Sequence, residues 1–164
     1  MIFSIIALTW FLLEKGWNFF KSGEKNIRYI MLVLLTALIL IYGGYKATFE
    51  GENIMGSLLA LAGVGLRLWG RSAMKESFSV KTEKPEKLIK SGPYAIIRHP
   101  LYLGLILLCM GGVIASSSKL LIIPFLINLV VIIKKVKTEE ELLESLPEFK
   151  EYKSRTWKLI PFLW

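Results

Sequence analysis

Residues 91–104 read SGPYAIIRHPLYLG, a polar turn that opens directly into an apolar run. Pro100 is placed as the first residue of a helix, because its missing N–H is one that a first turn cannot use. Arg98 and His99 then stand at that helix's start, where free N–H groups and the helix dipole favour an anion. Tyr102 falls in the first turn. Gly104 lets a ligand or another backbone come close. His99 is the chain's only histidine.

The surroundings of this stretch set the class. The chain has 164 residues, 54% of them hydrophobic, with a mean hydropathy of +0.51. That is too apolar for an ordinary soluble domain of this size and predicts an all-α integral membrane protein. The net charge of +8 comes from basic residues that flank apolar spans. They point to membrane lipid headgroups rather than to nucleic acid, for which no binding motif is present. The single cysteine, Cys109, lies inside an apolar run and reads as a small buried hydrophobe. Without a Cys/His cluster, no metal site is expected. The first 13 residues lack a basic n-region and a small-residue cleavage site, so they read as a retained span.

Five spans are predicted, over about 1–20, 28–49, 54–71, 100–116 and 119–136, each near the ~20 residues a bilayer core requires. In the third, Gly56, Ala60 and Gly63 form a small-residue face suited to close packing, within one chain or across a dimer. Arg67 and Arg71 at its end are expected to snorkel to the headgroups. Ser116–Lys119 is a tight turn, so spans four and five form an antiparallel hairpin, with Pro124 a candidate kink. The tail from Lys134 reads as amphipathic with Leu142, Leu143, Leu146 and Phe149 on one helical face, broken or bent at Pro147. The stretch Arg67–Arg98 holds eight basic and three acidic residues, and Glu14–Arg28 holds four and two. The lysine and arginine excess places both on the cytoplasmic side, with the N-terminus outside and the tail inside.

Three polar groups then share one membrane face. Arg98 and His99, with Tyr94 and Tyr102, lie at the start of span four; taken alone they also read as interfacial anchors. Glu139, Glu140 and Glu141 follow span five; alone they also read as a solvated helix start. Tyr152, Arg155 and Pro161 lie in the tail. A hairpin makes the first two groups neighbours. It predicts a cleft with cations on one wall and carboxylates on the other, suited to a zwitterionic ligand.

SGPYAIIRHPLYLG resembles the G-P-Y-x-x-x-R-H-P-x-Y-x-G signature of the isoprenylcysteine carboxyl methyltransferase and phospholipid methyltransferase superfamily. There the signature precedes a hydrophobic hairpin, a Glu-Glu pair and a Tyr…Arg…Pro tail. The counterparts here are Glu139-Glu140 or Glu140-Glu141, then Tyr152, Arg155 and Pro161, so the resemblance runs from about Trp69 to the end. The family's Phe-Gly-x-x-Tyr after the acidic pair is replaced by Leu146-Pro147-Glu148-Phe149.

The resemblance implies a single methyltransferase domain over 1–164 with a cofactor-binding portion at about 91–161. It implies methyl transfer from S-adenosylmethionine, leaving S-adenosylhomocysteine, to a lipophilic small molecule or a prenylated cysteine. Tyr94, His99, Pro100, Tyr102, Gly104, Glu139, Glu140 and Glu141 would contact the cofactor. Arg98, Tyr152 and Arg155 would bind the acceptor, with Arg98, Arg155 and Glu140 catalytic. Alternatives are methylation of a phospholipid, thiol or amine, a nicotinamide-dependent sterol-reductase-like enzyme, and a non-catalytic membrane scaffold.

Overall fold

A computed structural model describes residues 1–13, 27–74 and 88–161. Among them are six α-helices: α1 Ile2–Leu13, α2 Ile27–Phe49, α3 Ile54–Met74, α4 Pro100–Ala115, α5 Ile122–Leu143 and α6 Phe149–Arg155. Short 3₁₀ turns at Gly92–Ala95 and Lys119–Leu121 precede α4 and α5. The all-α expectation holds. Among the described residues one helix, α2, meets by length and composition the requirement for crossing a bilayer, while α1 and α4 are shorter apolar helices. α3 falls short because it is rich in glycine and carries Arg67 and Arg71; α5 turns polar at Lys134. The expected first span is described only as far as Leu13, and the rest lies outside the described residues.

Local chemistry sets the helix ends. α2 stops where Gly51 takes a left-handed φ of 114°, a conformation that glycine adopts without steric cost. Asn53 caps α3, its side-chain oxygen accepting from Met55 N at 3.0 Å. Glu52, in the same loop, caps a different helix: it accepts from the backbone N–H of Ile2 and Phe3 and from the Ser57 hydroxyl. The free donors of the first turn of α1 are thus satisfied from 50 residues away.

Helices α3 and α4 run antiparallel with their backbones nearly in contact. A Cβ on Gly63 would lie 2.6 Å from Gly104 O; one on Gly111 would lie 2.6 Å from Ala60 N; one on Gly56 would meet the Ala115 backbone. The small-residue face read from the sequence is therefore an internal packing seam. The seam also revises two expectations. α4 and α5 do return antiparallel around Ser116–Ser118, but the main partner of α4 is α3, and α5 lies chiefly on α2. Glycines let α3 and α4 approach, and α5 has none to offer. Gly104 faces Gly63 and the Arg67 side chain, so the close approach it permits is to protein.

Two further details differ from the sequence reading. Pro124 is the third residue of α5, where a first turn has no hydrogen bond to lose. Arg67 does not snorkel: it is buried, donates to Leu101 O at 2.7 Å, and lies 5.6 Å over the Trp10 ring. The tail breaks around Pro147 as expected: α5 continues through the glutamates to Leu143 and a separate short α6 begins after Pro147.

Gly63→Ala places a methyl group inside the α3–α4 seam and should cost about 1–3 kcal/mol, read as a lower thermal midpoint in detergent. Gly65→Ala, with nothing within 4 Å of its added Cβ, should be neutral or stabilising by at most about 1 kcal/mol.

Candidate active site

The polar turn before α4 is shaped by its glycine and prolines. Gly92 has φ 60°, and a Cβ there would press on Ala73 and Trp69, so the chain turns tightly against the end of α3. Pro93 is the second residue of the 3₁₀ turn and Pro100 opens α4. Between the two helices a turn at Ile96 is followed by Ile97, which pairs with the tail. Arg98 N donates to Trp157 O at 2.8 Å and Trp157 N donates to Ile96 O at 2.9 Å, forming a short parallel bridge. Tyr152 OH adds a bond to Tyr94 O at 2.7 Å.

This clasp brings Arg98 and His99 to the end of α5. The Arg98 guanidinium is buried, with Nε donating to Glu140 Oε1 at 2.7 Å and Nη1 donating to the Lys153 and Thr156 carbonyls and the Thr156 hydroxyl. His99 makes no side-chain cap on α4. Its imidazole turns to α5 instead, with Nδ1 3.6 Å from Glu139 Oε2 and Nε2 3.5 Å from Glu140 Oε1. These are charge contacts rather than formed hydrogen bonds, and the buried Nε2 has no hydrogen-bond partner among the described residues. Tyr102 OH donates to the other oxygen of Glu139, and Lys158 Nζ lies 2.9 Å from Glu140 Oε2.

The charges tune one another. Burial opposes ionisation of Glu140, but His99, Lys158 and Arg98 outweigh it and hold the carboxyl at about 2. Burial disfavours the imidazolium of His99, yet the two glutamates prevail and raise its pKa above the ordinary 6.5. Burial drives the Tyr94 phenol up, and drives Tyr152 up to about 12 against the pull of Arg98.

Of the residues singled out from the sequence, Arg98, His99, Tyr102, Glu139 and Glu140 converge at one end of the bundle. Tyr94 and Tyr152 brace that cluster from behind. Pro100 and Gly104 serve its packing. Glu141 projects from the exposed side of α5. Arg155 lies outside the cluster, 76% exposed and paired with Glu151 at 3.0 Å. With Lys90, Ala95, Glu151, Tyr152 and Thr156 it lines a surface cavity of about 200 Å³. Among the described residues the cations and carboxylates of the expected cleft touch one another, since opposite charges in a poorly solvated place draw together. Sequence reasoning missed Lys153, Thr156 and Lys158, which sit in an ordinary-looking basic tail. Their only signal was position, soon after the acidic triplet.

Comparison with known proteins fits this arrangement. The family model for phospholipid methyltransferases matches residues 52–146, more than half of the chain, from the start of α3 to just past the acidic pair. The chain is 28% identical over 149 residues to the cobalt-zinc-cadmium resistance protein CzcN of Cupriavidus metallidurans, covering 89% of this chain and 67% of that protein. It is 28% identical over 138 residues to the nickel-cobalt-cadmium resistance protein NccN of Alcaligenes xylosoxydans xylosoxydans, covering 83% of this chain and 63% of that protein. The chain thus spans about two thirds of the length of these relatives. No solved structure matches it. The chain belongs to the phospholipid methyltransferase family, within the isoprenylcysteine carboxyl methyltransferase-like superfamily.

Proposed function

We propose that this chain is a multi-pass membrane methyltransferase that uses S-adenosylmethionine to methylate a lipophilic acceptor, with a prenylated cysteine carboxylate as the model substrate. In this reading five spans cross the cytoplasmic membrane, the N-terminus lies outside and the C-terminus is cytoplasmic. The observation that carries the proposal is the convergence of His99 and Tyr102 with Glu139 and Glu140 at one end of the bundle.

The donor set suits the cofactor. His99 Nε2 is buried and without a hydrogen-bond partner among the described residues, a donor for a carboxylate. Glu139 and Glu140 are acceptors for an ammonium or for ribose hydroxyls. The sulfonium supplies an already activated methyl group when bound. The protein's part is then orientation and the exclusion of water, worth up to about 7–11 kcal/mol where alignment is ideal. Arg98 holds Glu140 and the tail in fixed relation. A carboxylate acceptor needs no base. For a thiol or an amine, Glu139 is the better base, because three cations hold Glu140 ionised and weakly basic. Tyr152 and Arg155 line the adjacent cavity and would meet the acceptor's polar head there.

Calorimetric titration of the purified protein in detergent tests this. S-adenosylmethionine and S-adenosylhomocysteine should bind, and reduced nicotinamide cofactors should not. His99→Ala and Glu139→Gln should each weaken binding by roughly tenfold or more, the scale of one lost charged hydrogen bond. A wild-type protein that binds neither adenosyl compound sinks the reading.

Stability should depend on pH in two separate windows. Glu140 is depressed from 4.5 to about 2, so its contribution is complete above pH 4.5 and is lost as pH falls towards 2. His99 is raised above 6.5, so its contribution is complete below pH 6.5 and is lost as pH rises through the folded-state value. The thermal midpoint should therefore be highest between about pH 4.5 and 6.5, and the alkaline decline should shrink in His99→Gln.

A further inference from the structure

Three apolar runs each carry a single side chain with an N–H, O–H or S–H group, and the fold brings the three together. Thr36 is the only one between Tyr29 and Tyr42 in α2. Cys109 is the only one between Tyr102 and Ser116 in α4, and Asn128 the only one between Lys119 and Lys134 in α5. All three are buried. The Asn128 amide nitrogen donates to Thr36 Oγ1 at 3.0 Å and to Cys109 Sγ at 3.8 Å. Its carbonyl oxygen is buried with no hydrogen-bond partner among the described residues.

Such a node contributes little to stability, because an amide with one unsatisfied atom is no better in an apolar interior than an aliphatic side chain. What it supplies is axial register. α5 lies chiefly on α2, and apart from Asn128 and Thr36 the stretches 120–133 and 30–41 are wholly apolar. Sliding one helix along the other by a turn exchanges apolar contacts for apolar contacts, so these discriminate weakly between registers. The same slide carries Asn128 away from both acceptors and strands its amide among hydrocarbon, which is costly. A single buried asparagine is known to fix helix register in this way.

The register matters to the site. Glu139 and Glu140 lie about three turns beyond Asn128 on the same helix, and a one-turn slide would move them by about 5 Å. His99 would not follow, because it precedes α4, whose axial position is set by the glycine seam with α3. Its contacts with the two glutamates, at 3.6 and 3.5 Å, have no such tolerance.

We infer that Asn128 is a positioning residue for the cofactor site: its amide, held by Thr36 and Cys109, sets the axial position of α5 and so keeps Glu139 and Glu140 level with His99. This inference rests on the proposed adenosyl-cofactor reading and adds to it a residue remote from every polar group of the site.

The test uses the full-length protein in detergent. Asn128→Leu keeps the branched outline and removes the amide, so the ligand-free thermal midpoint at neutral pH should be unchanged or higher. Calorimetric binding of S-adenosylhomocysteine should nevertheless weaken roughly tenfold, the scale of one interhelical hydrogen bond in a membrane protein. Without ligand, the fall of the midpoint below pH 4.5 should become shallower, because Glu140 no longer meets all of its cations. Thr36→Ser, which keeps the acceptor, should match wild type in both binding and acid decline. Thr36→Val combined with Asn128→Leu should bind no more weakly than Asn128→Leu alone. A lower midpoint with an unchanged acid decline makes Asn128 a packing residue and overturns the inference, as does wild-type affinity in Asn128→Leu. Wild-type protein that binds no adenosyl compound defeats the functional reading beneath. The acid decline then decides this inference alone, and equal slopes in Asn128→Leu and wild type overturn it.

Discussion

The ion pair between Arg98 and Glu140 ties together parts of the chain that no continuous helix connects. One guanidinium joins the turn before α4, the end of α5 and the carbonyls that close α6. Both partners are buried, so the pair stands on a fine balance. Taking two charges out of water is expensive, and the interaction repays it only when the remaining donors and acceptors are also satisfied. Here most are: the second oxygen of Glu140 meets Lys158, and Nη1 of Arg98 has three further acceptors in the tail, while the buried His99 Nε2 beside them has none among the described residues. Such a network is a poor source of net stability. It is a strong determinant of which arrangement forms, because a half-made version leaves a buried charge exposed to apolar surroundings.

The pair forms only because the bundle delivers its two ends to one place. The glycine seam between α3 and α4 sets the axial position of α4 to within an atom's width, since backbone meets backbone without side chains to adjust. α5 is positioned separately, against α2, where the Asn128 amide donates to Thr36 at 3.0 Å in an otherwise apolar contact. Two independent alignments thus meet at Tyr102, His99, Glu139 and Glu140. The aromatic and aliphatic core around Phe3, Leu105, Leu108 and Ile132 fills the space between them.

The sequence disclosed what depends on local chemistry. Pro100 announced a helix start, Ser116–Lys119 a turn, and Gly56, Ala60 and Gly63 a packing face, and each has the role its residue type dictates. The neighbourhood of His99 and the glutamates followed from a short turn between two apolar runs. What stayed hidden depends on tertiary partners. Nothing in the spacing of Arg67 distinguishes a headgroup anchor from a side chain folded under α4; the absence of a side chain at Gly104 makes the room. Nothing in a lysine-rich tail marks Lys158 as the residue that reaches Glu140, because the parallel bridge at Trp157 that aims it pairs residues 60 positions apart.

The bridge between Ile97 and Trp157 also makes the charged cluster the shared property of two distant stretches of chain. Because Arg98 N and Ile96 O are both paired with Trp157, a shift of the tail backbone moves the backbone that carries the guanidinium, and with it the carboxylate that the guanidinium holds.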